Sequence, residues 1–215
     1  MTLLDVCDKI RKSVCKIGSE ILNTLLDEVY EKLSNMVNKT DQENIKDVKR
    51  TRNYLSALSS HIDAIDRERE FNLTNKQKGM MIRGNVVWVD FGFNIGTEFG
   101  GRHPAIILRV TSNYKSVLVL PIDSESSAPE TMEARKNKEY WYKIDHVNGM
   151  KKMTRWANVY RTIEISSIRI DFSASTKAFI KYDVLEEIDR LIEKYQYKPH
   201  DQKENCAKDK ILKSY

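Results

Sequence analysis

The sequence predicts an α+β protein: an N-terminal helical hairpin, then a small β-barrel or strongly bent sheet, then one C-terminal helix. Three observations predict it. Apolar residues recur every three or four positions up to about residue 70, the period of one helix face. From about residue 80 the pattern shortens to alternation or to brief runs rich in Val, Ile and aromatics, as strands require. Near the C-terminus the helical period returns at Val184, Ile188, Leu191 and Tyr195.

Residues 3–70 read as helix. The first apolar stripe runs through Val14, Ile17, Ile21, Leu22, Leu25, Val29, Leu33 and Met36. Asn38-Lys39-Thr40 breaks it, and Thr40-Asp41-Gln42-Glu43 has the form of a capping box that starts a second helix. Ile45, Val48, Leu55, Leu58, Ile62 and Ile65 form the second stripe. Tyr54 and His61 lie near it and read as packing residues. Two amphipathic helices bury little surface alone, so the hairpin is expected to pair with itself or with a partner.

Polar residues Asn72 to Lys78, closed by Gly79, read as a linker. Strands follow at Val86–Val89, Ala105–Leu108, Val117–Leu120, Trp141–Ile144, Trp156–Tyr160 and Ile168–Phe172. Ser124 to Lys138 is polar, contains Pro129 and reads as an exposed loop. Asp183, with Glu186 three residues on, is the expected N-cap of the last helix. Beyond Lys198-Pro199 the chain is charged and reads as a flexible tail. The expected organisation is a hairpin at 1–75, a barrel domain at 80–197 and a tail at 198–215.

Composition narrows the class. The chain has 215 residues, room for one large domain or two small ones. No apolar run approaches the roughly 20 residues that span a bilayer. Asp5, Asp8, Lys9, Arg11 and Lys12 interrupt any signal-peptide core, so a cytoplasmic protein is expected. Cys7, Cys15 and Cys206 are odd in number and show no disulfide framework. No Cys or His pair has zinc spacing, so neither metal nor cofactor is expected. A net charge of +5 permits a nucleic-acid partner, RNA or DNA, without requiring one.

The most informative stretch is Arg83 to Val110. Its two strand-like runs flank a loop holding Gly92, Gly96, Gly100 and Gly101, half of the chain's eight glycines. Asn94, Thr97, Glu98, Arg102 and His103 share that loop. Glycine lets a backbone approach a ligand closely, and the other residues supply acid–base groups and an anion clamp. The competing reading is a long hairpin loop whose glycines only make turns.

The motif Arg83-Gly84-x-Val-x-x-Val-Asp, followed by Gly96-x-Glu98-x-Gly100-Gly101-x-x-Pro104 and Ala-Ile-Ile-Leu, resembles the MazF/PemK family of toxin endoribonucleases. Val117 to Ile122, ending in Asp-Ser, and Val159-Tyr-Arg161-Thr162-Ile are weaker matches. The resemblance covers roughly residues 80–197 and leaves out the hairpin. It implies an SH3-like barrel, a homodimer, metal-independent cleavage of single-stranded RNA and a cognate antitoxin. The family has arginine before the loop proline, where this chain has His103 with Arg102 one earlier. It has threonine or serine at the end of the third strand, where this chain has Asp123 with Ser124 next.

Cleavage by attack of the neighbouring 2′-hydroxyl needs a base, an acid and positive charge around the phosphorane. Arg102 suits the charge role, because guanidinium matches phosphate oxygens in a fork. His103 suits acid or base work. Asp123 can orient the imidazole or act as base, Ser124 can donate to phosphate, and Glu98 is a further base candidate. Glu98 reads equally as a partner of Arg102, and His103 and Asp123 as turn residues. Phe93, Asn94, Thr97 and Phe99 are candidate RNA contacts, as is Arg161 in the Arg-Thr-Ile segment. Lys136, Lys138, Lys151, Lys152 and Arg155 offer a basic surface. The alternative function is a catalytically inactive barrel that binds RNA or protein. For the hairpin three roles stand open: dimerisation, docking of a regulator, or cover for the RNA groove.

Overall fold

The computed structural model describes residues 20–93, 99–124, 129–175 and 177–197. It divides into two compact units. Of the described residues, one holds those in 20–72 and 90–102; the other holds those in 73–89 and 103–197.

In the helical unit, α1 spans Glu20–Asn38 and α2 spans Ile45–Glu68. The break between them falls where the sequence places it, but the cap does not. Asn44, not Thr40, caps α2: its side chain accepts from the backbone N–H groups of Lys46 and Asp47. Residues 41–43 are used by a tight turn instead, in which Asp41 Oδ1 accepts from the Glu43 N–H at 3.0 Å. Thr40 is buried, and its hydroxyl lies 3.0 Å from the Met36 carbonyl and 2.8 Å from Thr51 Oγ1, tying the two helices together. The expected stripes are partly corrected. Leu33 is buried as expected, but Leu26 is the second buried apolar residue on α1. Leu25, Val29, Ile45 and Ile65 are exposed. Val14, Ile17, all three cysteines and the 198–215 tail lie outside the described residues, as do the side chains of Ile21 and Leu22.

The second unit begins with a correction. The expected linker contains a short helix, α3, at Asn75–Met80. Thr74 caps it through a true capping box: its hydroxyl accepts from Gln77 N–H, and Gln77 accepts from Thr74 N–H. Thr-x-x-Gln is the signal, and a polar composition masks it.

The strands are β1 Asn85–Asp90, β2 Arg102–Val110, β3 Ser116–Ser124, β4 Trp141–Ile144, β5 Arg155–Asn158, β6 Ile163–Ser166, β7 Ile170–Asp171 and β8 Ala178–Phe179. Their order is β4-β5-β3-β2-β1-β7, with β6 on β3 and β8 on β1. Among the described residues this path is bent and open rather than closed. The bend centres on β3. One edge pairs with β2; the other is shared, with residues 116–119 against β6 and 122–124 against β5. Strand β2 is buried without a break from Pro104 to Leu108, as a central strand covered on both faces requires.

Several sequence boundaries move. The run Trp156–Tyr160 is strand only to Asn158, whose side chain then caps a 3-10 turn at Val159–Arg161. The run Ile168–Phe172 begins in a second such turn, Ser167–Arg169, and gives only the two-residue β7. Strands β6 and β8 were too short to mark a period. The expected loop 124–138 contains helix α4, Pro129–Lys136, with proline at its first position and Arg135 and Lys136 in its last turn. The last helix, α5, spans Tyr182–Ile192; Lys181 stands at its N-cap position and Asp183 falls inside its first turn. Leu185, Ile188 and Ile192 are buried in the barrel core beside Ile106, Leu120, Ile122 and Ile144.

Candidate functional site: a carboxylate ringed by cations

Strand β2 opens at Arg102, so Arg102 and His103 are strand residues and not loop residues. Successive side chains in a strand point to opposite faces, which separates the two. The β2–β3 register pairs Ala105 with Pro121. Continuing that antiparallel count by two residues sets His103 across from Asp123. The contact agrees: His103 Nδ1 is 3.5 Å from Asp123 Oδ1.

Two guanidiniums complete the cluster. Arg135, from α4, donates through Nη2 to Asp123 Oδ2 at 3.4 Å and through Nη1 to the Ser124 carbonyl at 3.4 Å. Arg161, from the turn after β5, places Nη1 3.9 Å from the same Asp123 oxygen. The side chain of Asp123 is 18% exposed and that of Arg135 13%. Both arginines also flank Trp141 of β4, with guanidinium carbons 4.6 Å and 5.7 Å from the ring centre. The β3–β5–β4 register puts Asp123, Trp156 and Lys143 in one row. Ile122 and Ala157, one position along, face the core. Arg135 Nε and Trp156 Nε1 are buried and have no hydrogen-bond partner among the described residues. Half-buried guanidiniums on a tryptophan face form a cationic surface with little freedom to reorient.

The other sequence candidates fall elsewhere. Ser124 is exposed at the end of β3, its side chain on the face opposite Asp123. Arg102 is exposed and lines a recess of the helical unit with Asn53, Ser56 and Ser60. Phe93 packs edge-on against Tyr54 at 5.2 Å, and Phe99 against Phe91 at 5.1 Å. Asn94, Thr97 and Glu98 lie outside the described residues. The basic surface loses a member: Arg155 is buried, donating to the carbonyls of Lys151 and Met153, and burial pushes its pKa down.

Sequence reasoning missed Arg135 and the role of Trp141. Proline at the first helical position and two basic residues in the last turn were the available signal for α4. Nothing in the spacing tied residue 135 to residue 123. Among the described residues no group of three or more His, Cys, Asp or Glu is placed to hold a metal. Among the same residues no helix is long and apolar enough to cross a membrane.

Comparison with known proteins bears on this arrangement. No curated protein matches the chain. Among solved structures, it is similar to MazF from Deinococcus radiodurans, with 18% identity over 54% of this chain and 96% of that one, at a TM-score of 0.37. It is also similar to a chain of the MazE-MazF structure from the same organism, with 20% identity over 53% of this chain and 93% of that one, at a TM-score of 0.36. A family model for the PemK-like, MazF-like toxins of type II toxin-antitoxin systems matches residues 82–195. That match takes in every strand, α4, α5 and the whole Asp123 cluster, more than half of the sequence, and the chain belongs to this toxin family.

Proposed function

We propose that this protein is a toxin that cleaves single-stranded RNA without a metal, through attack of the neighbouring 2′-hydroxyl. The observation that carries the reading is the His103–Asp123 contact with Arg135 and Arg161 beside it. With Asp123 Oδ1 3.5 Å from Nδ1 of His103, the carboxylate favours the proton on Nδ1 and leaves Nε2 as the basic nitrogen. Nε2 takes the 2′-hydroxyl proton as O2′ bonds to phosphorus. The P–O5′ bond then breaks, and the 5′-oxygen picks up a proton. The products are a 2′,3′-cyclic phosphate and a 5′-hydroxyl. Arg161 and Arg135 stabilise the doubly charged phosphorane in a site partly shielded from water. Glu98 remains a further base candidate, and water returns the proton to the 5′-oxygen. Ser124 and Arg102 are assigned binding roles, and Phe93, Phe99, Asn94 and Thr97 contacts to the substrate.

The family supports an antitoxin partner, a homodimer and action in the cytoplasm, and we adopt all three. One observation favours a second reading. Both guanidiniums already face Asp123, so part of their charge is spent inside the protein. A barrel of this kind can serve as an inactive module that binds RNA or protein.

The deciding experiment is cleavage of a long single-stranded RNA by the full chain in excess EDTA. Cleavage that disappears in His103→Ala supports the ribonuclease. No cleavage by the wild-type protein transfers the case to the binding module.

A further inference from the structure

Two recesses of the helical unit share one wall. The first, about 650 Å³, is ringed by Lys32, Lys39 and Arg50 near the α1–α2 turn, with Asp47 among them. The second, about 580 Å³, is lined by Asn53, Ser56 and Ser60 of α2 and by Gly100, Gly101 and Arg102. Phe93 lines both, set edge-on to Tyr54 at 5.2 Å. Helix α2 supplies residues 47, 50, 51 and 54 to one recess and 53, 56, 57 and 60 to the other. The shared 3-1-3 spacing makes these two neighbouring ridges of one helix. Each recess has the volume of a small-ligand site, about 300–1,000 Å³.

The chemistry changes along the trough. Cations stand at one end, aromatic edges in the middle, and at the other small amide, hydroxyl and glycine positions together with Arg102 and the Asp90 carboxylate, whose Oδ1 accepts from the Gly92 N–H at 2.9 Å. Asp47 offsets one of the three cations, and its Oδ2 accepts from the Asp41 N–H at 2.9 Å. Lys32 also pairs with Glu28 at 3.8 Å, an exposed contact that a phosphate can replace. Gly101, at a φ of +83°, lets the backbone approach a ligand. A single-stranded polynucleotide presents the matching sequence of groups: phosphates, flat bases and polar base edges.

We propose that the helical hairpin, with Phe93, Gly100, Gly101 and Arg102, forms an accessory binding site for single-stranded RNA. The site rests on the reading of RNA as substrate but takes no part in the chemistry. It adds affinity for the RNA, so its loss raises KM and spares kcat. The hairpin is then a specificity element that the barrel's family match does not include.

The test uses the full chain and a 2′-O-methyl RNA of about 12 nucleotides, within the usual site sizes for such grooves and unable to be cleaved. Affinity is measured over a range of salt for the wild type, Lys39→Glu/Arg50→Glu and Lys39→Arg/Arg50→Lys. The charge reversal is expected to weaken binding at least about 10-fold and to flatten the salt slope by about 1.4, two phosphate contacts on a single strand. The conservative pair is expected to bind like the wild type. Should the reversal disturb folding, as circular dichroism would show, Arg50→Gln at an exposed position reads the same effect. Equal affinity and slope across the set overturn the proposal, as does a wild type that ignores the oligonucleotide. Weakened binding in a protein that never cleaves RNA sinks the ribonuclease reading alone; cleavage with indifferent trough variants sinks the trough alone.

Discussion

Arg102 and His103 are neighbours in the chain, yet they serve different units of the molecule. His103 belongs to the barrel, where an antiparallel ladder fixes its place across from Asp123. Arg102 belongs with the helices and the glycine loop. The barrel buries a continuous core that includes Ile106, Ile107, Leu120, Ile122, Ile144 and Ile188. On the helices Leu26 and Leu33 are the buried apolar side chains among the described residues. A site on the ladder is held by packing that its own unit supplies; a site on the hairpin depends on few contacts. The first arrangement suits chemistry, which needs positions fixed to within about half an ångström, and the second suits adaptable binding.

That contrast sets the largest expected effect. His103→Ala should slow RNA cleavage by about 100- to 10,000-fold, the range for a lost general base. Asp123→Asn should approach that loss, because the amide can donate to Nδ1 and hold the imidazole in the tautomer that protonates Nε2. Arg102→Ala should raise KM and leave single-turnover cleavage at saturating RNA within a few fold. Equal losses in kcat for Arg102→Ala and His103→Ala would erase the distinction between the two sites.

Stability should separate the units next. Ile188→Ala removes a fully buried side chain from α5 and should cost about 2–5 kcal/mol in urea unfolding. Leu25→Ala, at a half-exposed position on α1, should change stability by less than about 0.5 kcal/mol. A cost above about 2 kcal/mol for Leu25→Ala, varying with protein concentration, would mean that a second copy covers this face. A backbone probe is available inside the barrel unit. An added Cβ at Gly149 would lie 2.5 Å from the Lys177 carbonyl oxygen, at a φ of +78°. At Gly84 the nearest atom is the movable Leu185 Cδ2 at 3.3 Å. Gly84 shares the positive φ, at +85°, so Gly84→Ala should cost about 1–3 kcal/mol from backbone strain and Gly149→Ala more, readable as a difference in Tm.

How far the sequence revealed these units follows from the same physics. Strands such as Val86–Val89 and Ala105–Leu108 announce themselves because a buried strand needs an unbroken apolar run. The C-terminal stripe through Ile188 was legible for the corresponding helical reason. The hairpin's period showed helices but not which face turns inward, since Leu25 and Leu26 fit almost the same stripe. Cap chemistry competed locally: Thr40 and Asn44 both carry capping side chains, and the turn at Asp41 decided between them. At the site, Arg102, His103 and Asp123 could be picked out by type and position. Their separation onto two faces could not, because it depends on where β2 begins. Arg135 was hidden twice, inside a segment that read as loop and 12 positions from its partner.

The smallest effect expected here lies far from either site and tests the stiffness of the barrel's C-terminal edge. Glu139 accepts from Lys194 Nζ at 2.6 Å and from the Tyr195 hydroxyl. The hydrogen bonds from Lys194 and Tyr195, in that order, hold the Glu139 carboxyl below its ordinary value of 4.5, while Glu139 raises Lys194 to about 12. A lowered carboxylate pKa stabilises the fold at pH above 4.5 and loses that contribution as pH falls through the folded value. A raised ammonium pKa stabilises it below the lysine's ordinary 10.5 and loses that contribution as pH rises through about 12. Both groups are exposed, so solvent screening keeps the contribution small. Glu139→Gln should therefore lower Tm slightly between those limits, with the difference closing at either extreme and shrinking in high salt. A gap that persists unchanged after the carboxyl has been protonated in the folded protein would assign the contact to packing of Tyr195 on Tyr140 and Tyr160 rather than to charge.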